Sequence, residues 1–536
     1  MKRFIFPLLF VMLVGGCRPS NDSDAIATTA DEVAMTSPTE SPVGIAVGIP
    51  VEGPLEDVDW DSLDGREVTI RDLVIVDTFS LLRYGQLTMA RERLQIPTSI
   101  VDPNDADPSG TTFEGGPNVA PVIALDKRNE KAVIVVDDTS NRQNVFPPPL
   151  LPSLGTDLPT VRLGSKVSIL SGVVSIRNGK PSLKVKEPLR LMPAPRPPRP
   201  DLGDADWTIA SFNVLNFFTT IDDGKNRARG ADTPTELNRQ RDKIVAAILA
   251  LQADVVGLME LQNDAESELD LVQSLNDASG ADLYAGCGVA SDLDSYPGGT
   301  DAIRVGIIYR KDRVEPLGDP TWIRDNAFYK ARTPMVQTFR PLAGDDTIAG
   351  DDTISGKETD DKTSAVTVIV NHFKSKGGAA DADKANKDKG DGQAAYNATR
   401  RAQAFAVAEF IDQEFAEDDR VLVIGDLNAY SQEDPIDALR SRGLVDLSEI
   451  GNRRQRLTEE TTPPYSYVYY GECGSLDHAF ATPSLAKSVT SASVWNINAD
   501  EPVGLDYNQE YKPAALYQPD QWRSSDHDPV LIGIKN

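Results

Sequence analysis

The chain is short of positive charge, of cysteine and histidine, and of long apolar runs. Of its 536 residues, 54 are Lys or Arg and 82 are Asp or Glu, so the formal net charge is −28. This balance excludes non-specific adhesion to nucleic acid through a basic surface. Any polyanionic substrate has to be met locally, with the help of bound divalent cations. The length allows more than one domain.

The only apolar run of note lies at the N-terminus. Lys2 and Arg3 precede the apolar residues 4–14, which are too few to span a membrane and are typical of an export signal. The signal, residues 1–16, ends in Gly-Gly before Cys17 and resembles the lipobox of bacterial lipoproteins. We therefore expect a lipid anchor on Cys17 that attaches the chain to a membrane. An ordinary cleaved signal with an incidental cysteine is the alternative.

Only two further cysteines are present, Cys287 and Cys473. An even pair in an exported chain predicts a disulfide, because the compartment is oxidising. Two unpaired thiols are the alternative. A bond between them would brace two segments that lie near the candidate site.

Composition divides the rest of the chain into four segments. They are a flexible tether (17–49), a β-rich region (50–191), a proline-rich linker (192–205) and a region of alternating strands and helices (206–536). Short strands and turn residues in the β-rich region predict a small barrel or sandwich, with Asn178-Gly179 as a tight hairpin turn. The last segment predicts an α/β domain.

An acidic repeat interrupts the α/β segment. The six residues Ala343 to Ile348 recur unchanged as Ala349 to Ile354. We expect a solvated acidic hairpin between two strands. Ca²⁺ as a structural ion is an alternative, although the spacing of a calcium loop is not met.

Five strands of the α/β segment each end in polar residues that can bind a metal, hold phosphate or move protons. These residues are Asn213, Glu260, His372, Asp426 with Asn428, and Asp526 with His527. In a sheet covered by helices, such ends can converge on one crevice. The chain has three histidines, and each lies in a polar motif. For the third, His478, we favour a structural role.

The clearest of these strands, residues 421–426, ends at Asp426. Asn428 is two residues further on, so on an extended backbone both side chains would point to the same side. An ionised acceptor beside a neutral donor suits a water-activating base next to a group that holds an anionic oxygen. A strand stop made of turn-forming residues is the alternative.

Together these motifs resemble the endonuclease/exonuclease/phosphatase superfamily, which has the deoxyribonuclease I-like fold. The matching segments are Ser211–Asn213, Leu258–Glu260, Arg332–Val336, Asn371–Lys374, Gly425–Asn428, Ser475–His478 and Ser525–Pro529. The arrangement is most similar to bacterial extracellular nucleases of the ExeM/NucH type. The resemblance implies a four-layer α/β sandwich preceded by an OB-like barrel. Contact with single strands and a structural or anchoring role both remain open for the barrel.

The resemblance also implies a chemistry, the metal-assisted hydrolysis of a phosphodiester with Mg²⁺ or Mn²⁺, as one ion or two. The implied metal ligands are Asn213, Glu260 and Asp526, the catalytic residues are His372, Asp426, Asn428, Asp477 and His527, and the substrate-binding residues are Arg332 and Lys374. DNA is the expected substrate and RNA an alternative. Two other hypotheses are a phosphatase or sphingomyelinase-like phosphodiesterase, and a non-catalytic surface lipoprotein that binds nucleic acid. We expect an exported outer-membrane or cell-surface lipoprotein, with release to the medium as an alternative.

The orienting partner of His527 can be chosen among three carboxylates. Asp526 and Asp528 are its sequence neighbours, and on an extended segment they would point to the opposite face. Asp477 closes a different segment, where the resemblance places the partner of the histidine. A turn cap formed by Asp477 is the alternative.

Overall fold

The structure is a computed structural model that describes residues 48–105, 116–288, 301–342, 364–448, 450 and 463–536. The predicted export signal, Cys17, most of the tether and the acidic repeat lie outside the described residues. No helix in the described ranges is long and apolar enough to cross a membrane.

The β-rich region forms a closed barrel. Its strands are β1 (Ile49–Val51), β2 (Glu67–Asp77), β3 (Gln86–Ala90), β4 (Leu94–Gln95), β5 (Val133–Asp137), β6 (Lys166–Arg177) and β7 (Lys180–Lys184). Strands β2, β3, β5, β7 and β6 pair in that order, and a β2–β6 pairing closes the ring. Alternating apolar side chains such as Val68, Ile70 and Ile75 fill its interior. The predicted small barrel is confirmed.

In this region a hairpin turn was predicted from the sequence, whereas three helices were not. The predicted turn is present, because Asn178 and Gly179 join β6 to β7 with φ angles of 52° and 72°. Three helices were not predicted, namely α1 (Leu81–Tyr84), α2 (Pro97–Ile100) and α3 (Val119–Lys131). In α3, Val122 and Asn129 are its buried residues, so the helix has too narrow an apolar face for its period to show.

The α/β region contains fourteen further strands and five helices within the described ranges. The strands are β8 (Trp207–Phe217), β9 (Val255–Gln262), β10 (Tyr284–Gly286), β11 (Ile303–Arg310), β12 (Val314–Trp322), β13 (Met335–Pro341), β14 (Val366–His372), β15 (Val421–Asp426), β16 (Val445–Asp446), β17 (Tyr467–Tyr469), β18 (Glu472–Gly474), β19 (Asp477–Ala481), β20 (Val489–Val494) and β21 (Val530–Ile534). The helices are α4 (Pro234–Leu251), α5 (Glu266–Ser279), α6 (Asn397–Glu414), α7 (Asp434–Ser441) and α8 (Pro483–Ala486).

Two six-stranded sheets pack face to face between helices. Their strand orders are β10-β11-β9-β8-β21-β20 and β12-β13-β14-β15-β19-β16. Side chains alternate along each strand, so in β9 Val255 and Met259 enter the core between the sheets, whereas Val256 and Leu258 pack under α4 and α5. A third core lies under α6 and α7. The predicted four-layer α/β sandwich is confirmed.

The two sheets approach closely at Gly257 of β9. A Cβ atom there would lie 2.7 Å from Cγ2 of Val370 and 2.8 Å from Cδ1 of Ile424, both on the opposite sheet. A larger residue would push the sheets apart. This contact sets the spacing of the strands whose ends carry the polar motifs.

Hydrogen bonds and ion pairs join the barrel to the α/β region. Strand β4 pairs in parallel with β18, which forms a three-stranded sheet with β17. Arg162 places Nη1 2.5 Å from Oε1 of the buried Glu501, and Arg93 places Nη2 2.8 Å from Oδ1 of Asp500. All of these residues belong to one compact unit, Ala46–Asn536. The domain boundaries within that unit remain a prediction.

The proline-rich linker packs along the surface of the α/β region. Arg196 pairs with Glu501 at 2.9 Å and stacks over Trp522, and Nε of Arg199 donates to the carbonyl of Leu251 at 2.7 Å. These contacts fix the extended, proline-stiffened backbone at two points. The linker therefore contributes to the packing of the two regions.

The predicted disulfide between Cys287 and Cys473 is wrong, because both thiols are free. Cys287 follows β10 and packs against the core between the two large sheets. Cys473 is buried in β18, where Nη2 of Arg93 lies 2.9 Å from its Sγ. The two cysteines belong to separate sheets whose pairing holds them apart.

We expect Arg162→Ala to lower the free energy of unfolding by about 3 kcal/mol, the lower end for breaking a buried ion pair, since Arg196 still faces Glu501. Urea unfolding followed by circular dichroism measures the change. The matched control is Arg310→Ala, whose pair with Asp312 is partly exposed and contributes less than about 1 kcal/mol. Equal losses in the two variants would contradict a stabilising role for the contact.

Candidate active site

The polar ends of four strands meet where the two sheets face each other. Asn213 lies on β8 beside the parallel strand β9, which carries Glu260, and His372 and Asp426 are paired last residues of the parallel strands β14 and β15. Nδ2 of Asn213 is 3.1 Å from Oε1 of Glu260 and 3.2 Å from Oδ2 of Asp426. Nε2 of His372 lies 3.4 Å from the same Asp426 oxygen and 4.0 Å from Oε1 of Glu260. These predicted residues share one crevice.

Glu260 is held by backbone as well as by side chain. The N–H of Asn216 donates to its Oε2 at 2.9 Å, and the N–H of Leu215 donates to Oδ1 of Asn213 at 3.0 Å. Leu215, Asn216 and Glu260 have φ angles of 55°, 48° and 68°. Such left-handed residues cost on the order of 1–3 kcal/mol each and cluster at functional sites. Asn216 was not predicted from the sequence, because a backbone donor carries no side-chain signature.

A tight turn follows Asp426. The N–H of Asn428 donates to Oδ1 of Asp426 at 2.8 Å, and Nδ2 of Asn428 donates to the carbonyl of Phe373 at 3.2 Å. Asn428 has a φ of 48°, so the backbone turns after Asp426 and does not stay extended, in line with the alternative of a strand stop made of turn-forming residues. Gly425 allows β15 to approach β14, since a Cβ there would lie 1.9 Å from the carbonyl oxygen of Asn371. The turn after Asp426 therefore forms part of the wall of the crevice.

His527 reaches the crevice from the loop before β21. Its Nδ1 is 2.7 Å from Oδ2 of Asp477, and its Nε2 is 3.9 Å from Oδ2 of Asp426. Oγ of Ser466 donates to the same Asp477 oxygen at 2.7 Å, and the ring of Tyr467 lies 4.7 Å from the imidazole. The predicted contact between Asp477 and His527 is thus present. Ser466 and Tyr467 were missed, because no motif marks a residue that acts by supporting another.

The two neighbouring carboxylates point elsewhere. Oδ1 of Asp528 accepts the N–H groups of Asn498 at 2.6 Å and Ala499 at 3.1 Å, so this buried side chain braces an adjacent loop. Asp526 is half-buried on the other side of His527. Neither carboxylate orients the imidazole, as predicted, although the chain bends at residues 524–527 and is not an extended segment there.

The donor set suits a hard divalent cation. Among the His, Cys, Asp and Glu side chains of the described ranges, Glu260, His372 and Asp426 place potential ligand atoms within 4.8 Å of one another. Carboxylate and amide oxygens are the ligands of Mg²⁺ and Mn²⁺. Asn213 adjoins this group as predicted, whereas Asp526 is not a member of it. His372 and Asp426 were predicted for other roles.

The raised pKa values of the two carboxyl groups show that neighbouring donors and positive charges offset the cost of burying their negative charge only in part. Burial raises the pKa of Asp426 to about 7, with the positive charge of His527 opposing the shift. Burial and the nearby Asp526 raise the pKa of Glu260. Burial, with Arg332, lowers the pKa of His372 well below its ordinary value, so this imidazole is neutral. Two carboxylates that resist ionisation beside a neutral imidazole favour a bound cation.

The pKa of His527 is shifted in the opposite direction from that of His372. Burial lowers its pKa, but the carboxylates of Asp477 and Asp426 outweigh burial and raise the pKa well above the ordinary value. The charged form therefore persists through neutral pH and is lost only when the pH rises through the elevated pKa. In that form both ring nitrogens are donors, one toward Asp477 and one toward the crevice.

The two residues predicted to bind substrate lie beside the crevice. Arg332 is buried, donates from Nη2 to the carbonyl of Phe373 at 2.5 Å and pairs with Asp301 at 3.6 Å. Lys374 is half-buried, with Nζ 4.5 Å from the centroid of the Tyr396 ring. Their substrate roles stay predictions.

His478 has the structural position that we favoured. Its Nε2 contacts the carbonyl oxygens of Ala429 at 2.8 Å and Ser475 at 3.1 Å. These contacts tie β19 to the turn that follows Asp426.

Comparisons with known proteins identify a matching family for the chain. The model of the Endonuclease/Exonuclease/phosphatase family matches residues 210–527. No curated protein gave a significant match to the chain.

Solved structures resemble the chain over its α/β part. An endonuclease/exonuclease/phosphatase family protein from Bacteroides thetaiotaomicron has 14% identity, 61% coverage of this chain and 96% of its own, and a TM-score of 0.35. A mannosyl-6-phosphatase from the same species has 14% identity, coverages of 62% and 100%, and a TM-score of 0.35. TDP2 of D. rerio, complexed with a single-strand DNA product, has 15% identity, coverages of 62% and 99%, and a TM-score of 0.35.

We expect Asp477→Asn to lower the pKa of His527 toward its ordinary value, because the substitution removes the charge 2.7 Å from Nδ1. Titration of the metal-free protein by NMR measures it, and three histidines keep the spectrum simple. Asp528→Asn is the control and should leave the pKa of His527 in place, since that carboxylate faces the Asn498 loop. An unchanged pKa in Asp477→Asn would contradict the pairing.

Proposed function

Because this chain belongs to the endonuclease/exonuclease/phosphatase family, whose members hydrolyse phosphate esters, we propose that it is a metal-dependent nuclease acting on DNA. The observation that carries the proposal is the crevice in which Glu260, Asp426, Asn213 and His372 meet beside the charged imidazole of His527. It pairs a cation-binding group with a hydrogen-bond donor for a phosphate oxygen. RNA remains an alternative substrate.

Glu260 and His372 are suited to hold the metal ion, and Asn213 positions the Glu260 carboxylate by donating to it from Nδ2. When bound, Mg²⁺ or Mn²⁺ would neutralise charge on the phosphate and so favour attack at phosphorus. The strained backbone around Glu260 fixes its carboxylate before any ion arrives.

Asp426 is placed to accept the proton of the attacking water. Its carboxylate is buried in the crevice, with Oδ2 3.4 Å from Nε2 of His372 and 3.9 Å from Nε2 of His527, where a positioned carboxylate can take up a proton. Asn428 turns its backbone N–H to the same carboxylate, which holds Asp426 in place. The water would attack phosphorus and pass its proton to Asp426, while the P–O bond to the 3′-oxygen breaks and that oxygen takes up a proton from solvent. The products that the family resemblance implies are a 3′-hydroxyl and a 5′-phosphate.

His527 is placed to donate to the phosphate. Asp477 fixes its Nδ1, so Nε2 faces the crevice, where negative charge develops on the phosphate oxygens. Arg332 and Lys374 add positive charge along one wall. Because the chain as a whole has a net charge of −28, these local positive charges are what would attract a polyanionic substrate.

A polymeric substrate fits the surroundings of the site better than a small ester does. The hairpin of β17 and β18 carries Tyr467 beside His527 and is extended by β4 of the barrel region. The site is therefore continuous with a surface much larger than one phosphate. This supports a nuclease of the ExeM/NucH type, with an OB-like barrel as the accessory part. We place it at the cell envelope through lipid on Cys17, or released to the medium.

Cleavage should require Mg²⁺ or Mn²⁺ and stop in excess EDTA. Purified protein with labelled single- and double-stranded DNA, RNA and a chromogenic phosphodiester tests substrate class and metal together. Glu260→Gln should weaken metal affinity, measured by calorimetry, and rate together, whereas Asp426→Asn should lower the rate by roughly 10²–10⁴-fold with less effect on metal affinity. Glu409→Gln, at an exposed helical site, is the control. Full cleavage of DNA in EDTA would contradict the proposal.

Asp477 and His527 should act as one unit in catalysis. The rate losses of Asp477→Asn and His527→Ala should overlap, so that the double variant is little worse than His527→Ala alone. Steady-state kinetics of the two single variants and the double variant decide this. A double-variant loss equal to the product of the single losses would show that the two side chains act independently.

A further inference from the structure

A cleft of about 320 Å³ lies between the barrel and the active-site loop. The end of β2 and Phe79 form its barrel side, the β17–β18 hairpin forms a second side, and the loop with Arg523 and Asp526 closes it. No part of the mechanism above uses this space. Its volume is at the lower end of the range for sites that hold small organic groups.

Aromatic side chains dominate the rim of the cleft. Phe79 is 73% exposed, Tyr470 is 68% exposed and Tyr469 is 47% exposed. Tyr469 and Tyr470 meet edge to face, with ring centroids 4.6 Å apart, so they form one platform. Large aromatic rings exposed side by side mark a binding surface more often than a packing defect. Nucleobases stack on such rings whatever their sequence.

The cleft opens directly onto the catalytic residues. Tyr467, which lines it, has its ring 4.7 Å from the imidazole of His527. Asp526, also in the lining, is the residue before His527 in the chain. A strand whose phosphate contacts His527 therefore has its adjoining base at the mouth of the cleft.

The charges in the lining favour a neutral base over a phosphate. Asp77 and Asp526 present carboxylates, which repel phosphate and can accept the N–H groups of a base edge. Glu501 is already paired with Arg162 and Arg196. Phosphates would instead follow the wall that carries Arg332 and Lys374.

Arg523 holds an unusual position in this lining. Its backbone has a φ of 61°, and Nη1 donates to the carbonyl of Asn498 at 3.0 Å, while the buried Nε has no partner within the described residues. A strained backbone that places a guanidinium against an open space indicates a functional constraint. A planar guanidinium also stacks on base faces.

The walls of the cleft are fixed in the absence of any ligand. Nη2 of Arg93 contacts both Sγ of Cys473 and Oδ1 of Asp500, and its guanidinium stacks on the ring of Tyr465. The backbone N–H of Leu163 donates to the carbonyl of Asp500 at 2.9 Å. Because the barrel and the hairpin are already joined, binding there costs little ordering.

We propose that this cleft is a subsite for an unpaired nucleobase next to the scissile phosphate, so that the enzyme prefers single-stranded nucleic acid. The inference rests on the proposed nuclease function. Bases in a duplex are paired and stacked and cannot enter the cleft without being extruded. The barrel thus supplies part of the substrate site.

The test measures binding without cleavage. A short single-stranded oligodeoxynucleotide with 2-aminopurine beside its central phosphate is titrated into the full-length Asp426→Asn protein with Mg²⁺ present. Phe79→Ala and Tyr470→Ala in that background should each weaken affinity by roughly 5- to 150-fold and reduce the quenching of 2-aminopurine that stacking causes. Tyr470→Phe should retain both. Tyr511→Ala, an exposed tyrosine outside the cleft, is the matched control and should match the parent.

The outcomes separate this inference from the function on which it rests. If the unsubstituted chain cleaves DNA but all variants bind the oligonucleotide like the parent, the subsite is wrong and the nuclease stands. If the chain cleaves no nucleic acid but Phe79→Ala and Tyr470→Ala still lose affinity and quenching, the subsite stands and the nuclease is wrong. Equal loss of affinity for a duplex of the same sequence would overturn the subsite, as would failure of the parent to bind.

Discussion

The buried carboxylate of Asp426 and the half-buried carboxylate of Glu260 face one amide group of Asn213 at the edge of two packed sheets. Ionised carboxylates are costly in such surroundings unless donors or positive charge compensate them. The neighbouring groups supply part of that compensation, through the N–H groups of Asn216 and Asn428, the imidazolium of His527 and the guanidinium of Arg332. The remainder accounts for the raised pKa values and for the fit of the crevice to a divalent cation.

The geometry of the crevice depends on how closely the sheets pack. Gly257 permits contact with Val370 and Ile424, and Gly425 permits β14 and β15 to pair up to their last residues. These contacts place Asn213 and Glu260 from one sheet within reach of His372 and Asp426 from the other. The stability of the apolar core is thus what holds the charged groups together.

The barrel shares elements with the active site. Strand β4 extends the hairpin that presents Tyr467 to His527, and Arg93 ties that hairpin to the Asp500 loop. The barrel region therefore supports the loop that carries Asp500. The proline-rich linker is also packed, through Arg196 and Arg199, and this packing helps to keep the shared contacts in place.

Local patterns were enough for the α/β class and for the strands that carry most of the candidate site, whereas the four-layer arrangement followed from the family resemblance. Apolar runs ending in polar residues identified the strands that carry Asn213, Glu260, His372 and Asp426, because side-chain direction and burial follow from neighbours in the chain. The ordered motifs indicated the family, and the family resemblance, once Asp526 and Asp528 were argued against, pointed to Asp477 as the partner of His527. The roles of these residues and the anchor at Cys17 stay predictions.

Other features depend on contacts between distant segments. The separation of Cys287 from Cys473 is set by the pairing of different sheets, and the number of cysteines in the sequence does not predict it. Asn216 and Ser466 act through a backbone N–H and a hydroxyl whose partners are 44 and 11 residues away. The cleft exists only because the barrel docks beside the β17–β18 hairpin. The sequence by itself determined which residues end the strands and which faces are apolar, because these follow from local periodicity; the tertiary structure alone decided which ends meet, because that depends on the packing of the two sheets and the barrel.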